Sequence, residues 1–226
     1  MNQSPSCGVF FTFEGIDYAG KDTQLQKVVD WLSNIKMSGA NIWKDRLAVG
    51  QEPTDFPIGK KIRDILEHRE PAPHPFELQR LFILDRAEDI ICDIRPALDQ
   101  GKIVLRSRYA LSTLAYGMLS GCSPSIYIDL HKSILGQNMI WPTVTFLIDI
   151  SAEESVKRLA KKMAAPQLFE KKQTLEKVRE NYLHLVSYHS HYPIGRIVLI
   201  DGMRSVDEIF VDIRNKITES MGEIHV

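Results

Sequence analysis

Apolar runs of strand length alternate along this chain with stretches in which apolar residues recur every three or four positions. The first run, Val9 to Phe13, mixes Val, Phe and Thr with no charged break, as in a strand covered on both faces. Leu25, Val28, Val29 and Leu32 then recur at helical spacing. Arg46–Gly50, Lys102–Arg106, Thr143–Ile150 and Arg196–Ile200 repeat the strand signature. Between them the spacing predicts helices over Ile58–His68, about Phe76–Asp99, Leu111–Leu119, Ser125–Leu135, from Ser151 onward, about Lys172–His189, and Ser205–Glu219. Boundary residues agree. Pro57 suits a first helical turn, Gly101 a C-cap, and Ser151 with Glu154 three residues on a capping box. Asn34–Asn41 reads as a polar connection, Gln51–Pro57 as a turn-rich loop and Ala164–Gln167 as a helix break. Alternation of this kind implies an α/β fold with a parallel sheet covered by helices on both faces. The centre of the long helix, Leu81-Phe82-Ile83-Leu84, is apolar on nearly every side, so it predicts burial from two directions, in a deep core or against a second subunit.

Composition narrows the class. The 226 residues suffice for one α/β domain spanning 1–226 with a sizeable core. A formal net charge of -1 leaves no basic excess for a nucleic-acid partner. Cys7, Cys92 and Cys122 are too few and too scattered for a disulfide framework or a metal site, and read as reduced thiols. No apolar run approaches the ~20 residues of a membrane span, and the N-terminus lacks the pattern of a signal peptide. The expectation is a cytoplasmic protein with no membrane partner.

Chemistry enters between the first strand and the first helix. Gly15-Ile16-Asp17-Tyr18-Ala19-Gly20-Lys21 fits the P-loop pattern G-x-x-x-x-G-K in its required setting of strand, turn and helix. Glycines let backbone N–H groups converge on phosphate oxygens, the helix start adds positive potential, and Lys21 supplies a mobile charge. The next position departs from the pattern: Ser or Thr is expected there to meet Mg²⁺, and this chain has Asp22 followed by Thr23. Ser107-Arg108-Tyr109 closes the Lys102–Arg106 strand at its carboxyl end, where open α/β sheets bind ligands. Phe82 and Arg86 stand i and i+4 on the long helix. A charge inside so apolar a helix needs a partner, either a ligand or a carboxylate such as Asp89. Arg158 and Lys162 are likewise i and i+4, on the helix that follows Ser151.

The segments FEGIDYAGKDTQ, QEPTDFPIGKKIRDIL, LFILDRAEDI, SRYALSTLAYG, FLIDISAEESVKRL, FEKKQTLEKVRENYL and RIVLIDG, in this order, make the chain resemble the thymidylate kinases. The resemblance implies a three-layer P-loop kinase fold on a five-stranded parallel sheet, with the P-loop at 15–23 and a short lid at about 162–172. It also implies ATP as phosphoryl donor, Mg²⁺ as cofactor, dTMP as acceptor, and a homodimer. By resemblance, residues Gly15, Ile16, Asp17, Tyr18, Ala19, Gly20, Lys21, Asp22 and Thr23 bind ATP. Phe82 stacks on thymine, Arg86 meets its carbonyl edge and Thr113 contacts the base. Arg108 grips the dTMP phosphate, Tyr116 crowds the 2′ position of the sugar, and Asp17 lies near the 3′-hydroxyl. Lys21, Arg108, Asp17, Arg158 and Lys162 carry the catalytic roles.

The resemblance also has gaps. The family places a catalytic arginine in the P-loop or the lid, where this chain has Tyr18 and Pro166-Gln167-Leu168. The family's strand-end Asp-Arg-Tyr reads Ser107-Arg108-Tyr109, and Gln51 replaces an arginine before the Glu-Pro loop. Lys161, Lys162, Lys171 and Lys172 are the substitute charges. Asp22 and Ser107 exchange acid and hydroxyl relative to the family, which makes them the expected metal-side pair. Two other readings stay open: a P-loop kinase acting on another nucleoside monophosphate or a deoxynucleoside, and a nucleotide-binding protein with weakened catalysis.

Overall fold

The computed structural model describes residues 8–37, 40–41, 44–162 and 168–224. Its central strand, β1 (Val9–Glu14), is buried at every position, as its unbroken run of apolar residues and Thr requires. Phe10 packs into the core on one face of the sheet, and Val9, Phe11 and Phe13 into the core on the other. Truncating Phe11 or Phe13 to Ala would cost roughly 3–5 kcal/mol in such a setting.

Four more strands complete the sheet: β4 (Leu47–Gln51), β5 (Ile103–Ser107), β6 (Val144–Asp149) and β7 (Arg196–Asp201). The order is β4-β5-β1-β6-β7, and every pairing is parallel. Ser107 pairs in register with Phe13 on one side and Gln51 on the other, so three strands end together at the carboxyl edge. That edge is where the P-loop turns into α1 (Lys21–Asn34). The helices α2 (Pro57–Leu66), α3 (Pro75–Asp89), α4 (Arg95–Asp99), α5 (Ala110–Gly117), α6 (Pro124–Leu135), α7 (Ala152–Lys162), α8 (Lys172–Ser187) and α9 (Val206–Ile224) surround the sheet.

Three local outcomes differ from the sequence reading. The polar connection after α1 contains a short antiparallel hairpin, β2 (Lys36–Met37) with β3 (Ala40–Asn41). The long helix is not uniform: α3 widens into a π turn at Ile90–Ile94 before α4. Ser151 does cap α7, its Oγ accepting from Glu154 N at 3.1 Å, but the Glu154 carboxylate turns to Arg158 instead of back to the cap. A reciprocal capping box forms at α9, where Glu208 N donates to Ser205 Oγ and Ser205 N donates to the Glu208 carboxylate. Among the described residues no helix is long and apolar enough to cross a membrane. Cys92 and Cys122 are free thiols; Cys7 lies outside the described residues.

Candidate active site

A cavity of about 760 Å³ opens at the carboxyl edge of the sheet. The P-loop forms its floor. Gly15 has φ +141°, and a Cβ there would meet Ile148 O at 2.5 Å, so only glycine fits. Gly20 starts α1 at φ +97° with open space where a Cβ would stand, which leaves its backbone bare toward the cavity. Asp17 to Thr23 all line the cavity. Gly15 and Ile16 lie beneath it, their carbonyls accepting from Arg108 and Lys21. Lys21 Nζ reaches Ile16 O at 2.8 Å. Burial, and next the charge of Arg108, pulls the Lys21 ammonium down to about 8.

Arg108 leaves the end of β5 with φ +64°, a left-handed conformation that a side chain disfavours. Its guanidinium donates to Asp17 Oδ1, to Gly15 O at 3.3 Å and to Tyr116 OH at 3.4 Å. Tyr116 OH donates to Asp17 Oδ2 at 3.3 Å, so the three side chains form a closed cluster. Burial opposes the Arg108 charge, yet Tyr116, Asp17, Tyr182 and Glu14 outweigh it and hold the guanidinium protonated. Beneath them Glu14 is fully buried and accepts from Tyr109 N, Ser112 and Tyr182 OH. Burial pushes its carboxyl up, and the bonds from Ser112 pull against that.

At the end formed by α3, α5 and the loop after β4, the cavity is lined by Phe82, Gln79, Glu52, Thr113 and Tyr116. The two α3 residues paired in the sequence part company here. Phe82 faces the cavity, while Arg86 is fully buried behind its wall. Arg86 Nε donates to Glu52 Oε1 at 3.1 Å and Nη2 to Glu52 Oε2, so its carboxylate partner is Glu52. Asp89 serves Arg106 instead, accepting from Nε and Nη2 at 2.8 Å each. Arg86 also donates to Thr113 Oγ1 at 3.1 Å and lies over the Tyr109 ring. Burial pushes the Glu52 carboxyl up, and the Arg86 charge opposes that shift.

The opposite end is built from α7 and the turn after β7. Arg158 bridges the two, donating to Tyr18 O at 3.2 Å, Gly202 O at 3.1 Å and Glu154 Oε1 at 2.8 Å. Tyr18 adopts φ +60°, and burial with the nearby Glu170 carboxylate pushes its phenol up to about 12. Lys161 lines the cavity, and among the described residues nothing pairs with it. Lys162 closes α7; its side chain and residues 163–167, where the sequence reading expects the lid, lie outside the described residues. Past them, Leu168 N donates to Leu66 O, and the Phe169 and Tyr116 rings meet edge to face with centroids 5.1 Å apart.

Glu52, Gln79, Arg63, Glu170 and Arg204 line the cavity without having been singled out from the sequence. Only the Glu-Pro turn hinted at the first. Beside the P-loop the cavity also offers hard oxygens: the Asp22 carboxylate accepts from Ser107 Oγ at 2.6 Å. That donor set suits Mg²⁺, which takes one or two carboxylates and keeps several waters. Among the described residues no group of three or more His, Cys, Asp or Glu converges on a metal position.

The family model for thymidylate kinase matches residues 13–213. A thymidylate kinase of Maridesulfovibrio salexigens is 34% identical over 222 residues, covering 93% of this chain and 95% of the relative. One from a Sulfurihydrogenibium species is 38% identical over 205 residues, covering 89% and 93%. A probable thymidylate kinase of Thermococcus kodakarensis is 32% identical over 222 residues, covering 95% and 100%. The crystal structure of thymidylate kinase from Ehrlichia chaffeensis shares the fold, with a TM-score of 0.68 at 22% identity over 94% of this chain and 99% of that one.

Proposed function

The chain belongs to the thymidylate kinase family, and on that premise we propose that it moves the γ-phosphoryl group of ATP onto dTMP, giving dTDP and ADP. The carrying observation is that one cavity holds both halves of such a reaction. The P-loop with Lys21 opens into the same space as Phe82, Thr113, Tyr116 and Arg108. Phosphoryl transfer asks for in-line positioning and for compensation of charge on the moving group more than for covalent chemistry.

In this reading ATP lies along the P-loop, residues 15–23, with its base between Arg158 and the turn at Gly202. Lys21 serves the outer phosphates. The acceptor enters between Phe82 and Tyr116, its phosphate at Arg108. Asp17 sits beside the sugar, and Tyr116 closes the space a 2′-hydroxyl would need. Thr113 Oγ1, oriented by Arg86, contacts the base, so Arg86 acts through its neighbours from behind the wall. Mg²⁺, when bound, supplies charge compensation at the terminal phosphates. Residues about 162–172 form the lid of a single catalytic domain, and the reaction takes place in the cytoplasm. A homodimer forms through α3 and the π turn after it, where Leu81 and Leu84 are half-buried and Ile91, further along the same stripe, is 66% exposed.

The test is a coupled ADP-release assay with Mg·ATP against dTMP, dUMP, UMP, CMP, AMP, GMP and thymidine. Turnover fastest with dTMP supports the reading. A faster ribonucleotide or thymidine would make the chain a kinase of another acceptor, and no turnover with any of them would leave a nucleotide-binding protein.

A further inference from the structure

We propose, on the phosphoryl-transfer reading just given, that Asp22 is this protein's own ligand for the divalent cation that travels with the nucleotide, and that Ser107 is the residue that positions it. In P-loop enzymes the hydroxyl that follows the P-loop lysine ligates the metal. At that place this chain has a carboxylate, and a hydroxyl lies 2.6 Å from it. The pair therefore keeps the oxygen chemistry such a site uses and relocates it.

The placement is fixed from two directions. Asp22 is the second residue of α1 and lines the cavity. Ser107 is buried at the last position of β5, flanked in register by Phe13 and Gln51, so the sheet edge sets where its Oγ stands. Ser107 Oγ donates to Asp22 Oδ1, and no hydrogen bond among the described residues engages Oδ2. The charge balance points the same way. Asp17 is neutralised by Arg108, and Lys21 Nζ is turned to Ile16 O. Asp22 forms no ion pair among the described residues and stands where phosphates would lie. An acid there repels a nucleotide polyphosphate unless a cation sits between them. Mg²⁺, bound directly or through one of its waters, meets that need. The competing account is that Asp22 only complements the positive end of α1.

The two accounts differ in sign. Binding of the β,γ-imido analogue of ATP is measured by calorimetry, with Mn²⁺ present and with the metal removed by EDTA. Bound Mn²⁺ is followed separately by its electron paramagnetic resonance. For Asp22→Asn, a near-isosteric change, the Mn²⁺-dependent affinity should fall at least ~10-fold, as loss of a metal-site group does. The metal-free analogue should bind more tightly than it does to the wild type, because the repulsion is gone. Ser107→Ala should weaken Mn²⁺ binding by roughly 10-fold while leaving metal-free binding unchanged. Asp22→Ser with Ser107→Asp should recover most of the Mn²⁺ affinity that Asp22→Ser loses. Unchanged Mn²⁺ affinity in Asp22→Asn, equal losses with and without metal, or strictly additive effects in the pair would overturn the proposal. A wild type that binds neither form of the analogue would overturn the functional reading, and this proposal with it.

Discussion

His131 Nε2 lies 2.6 Å from Arg86 Nη1, and in that bond the imidazole can only accept. Its Nδ1 donates to Tyr127 O at 2.6 Å, so the tautomer is fixed and the ring is neutral. Burial first, and the Arg86 charge second, pull its pKa down to about 3. An unfolded histidine titrates near ~6.5. Between those two values the unfolded chain binds the extra proton, so stability falls as pH drops below 6.5, by at most ~1.4 kcal/mol per pH unit from this group. His131→Gln keeps an acceptor and cannot titrate. Urea unfolding of both proteins between pH 7.5 and 4.5 should show a shallower acid loss in the variant. Parallel curves would mean that His131 does not carry the effect.

Lys21 gives a pH dependence of opposite consequence for folding and for ligand. Its pKa in the ligand-free protein is about 8, below the ~10.4 of an unfolded lysine. Above 8 the unfolded chain holds the proton longer, so this group's contribution to stability rises with pH up to about 10.4. The neutral amine, however, cannot meet phosphate, so nucleotide binding at pH 8.5 must take up a proton. Calorimetry of ADP binding at pH 8.5, where the ADP phosphates are fully ionised, in two buffers of different ionisation enthalpy should return a positive proton count for the wild type and almost none for Lys21→Met. A count of zero in both proteins would place the Lys21 pKa elsewhere.

Lys161 is the cavity-lining cation that nothing holds among the described residues, whereas Arg63, Arg108, Arg158 and Arg204 are each tied to carboxylates or carbonyls. With Tyr18 in the P-loop, a free cation suits the charge that develops on the moving phosphoryl. Lys161→Met should lower kcat roughly 10- to 10³-fold, less than the range known for arginine fingers at its upper end, with KM for both substrates nearly constant. Lys161→Arg should retain most of the rate. Wild-type kcat in the Met variant would assign the role to another group.

Tyr116 binds Asp17 through its hydroxyl and packs edge to face with Phe169. Tyr116→Ala should therefore raise the ratio of UMP to dTMP turnover, while Tyr116→Phe, which keeps the ring, should leave that ratio near the wild-type value and loosen Arg108. Measuring kcat/KM for both acceptors decides it. An unchanged ratio in the Ala variant would remove the ring from the sugar site.

What the sequence disclosed was local. The strand, P-loop and α1 follow from residue types next to one another, as do Pro57 at the start of α2 and Ser205 at the start of α9. Arg86 was legible as a buried charge in need of a partner, but the partner was not. Glu52 lies 34 positions away, on a loop whose course depends on Thr54 binding Asp85. His131 carried no mark at all, because nothing in α6 announces that one of its faces closes over Arg86. The closeness of Asp22 and Ser107 needed strand order, since the two are 85 residues apart and meet only because β5 lies beside β1.

The π turn at Ile90–Ile94 fits one more residue into the helix than regular winding would allow. It lets Asp89 and Asp93 both approach Arg106, at 2.8 and 3.8 Å, while Ile94 and Ala97 still face the core. The segment thus works as a spacing device: deleting the exposed Cys92 would let the helix wind regularly and keep everything after it in phase, whereas regular winding with Cys92 retained would rotate everything after it by about 100°. Chains of this fold that differ here by a single residue are then expected to turn the same side of α4 to the sheet, and an alignment gap at this place would mark a change of winding, not a loop.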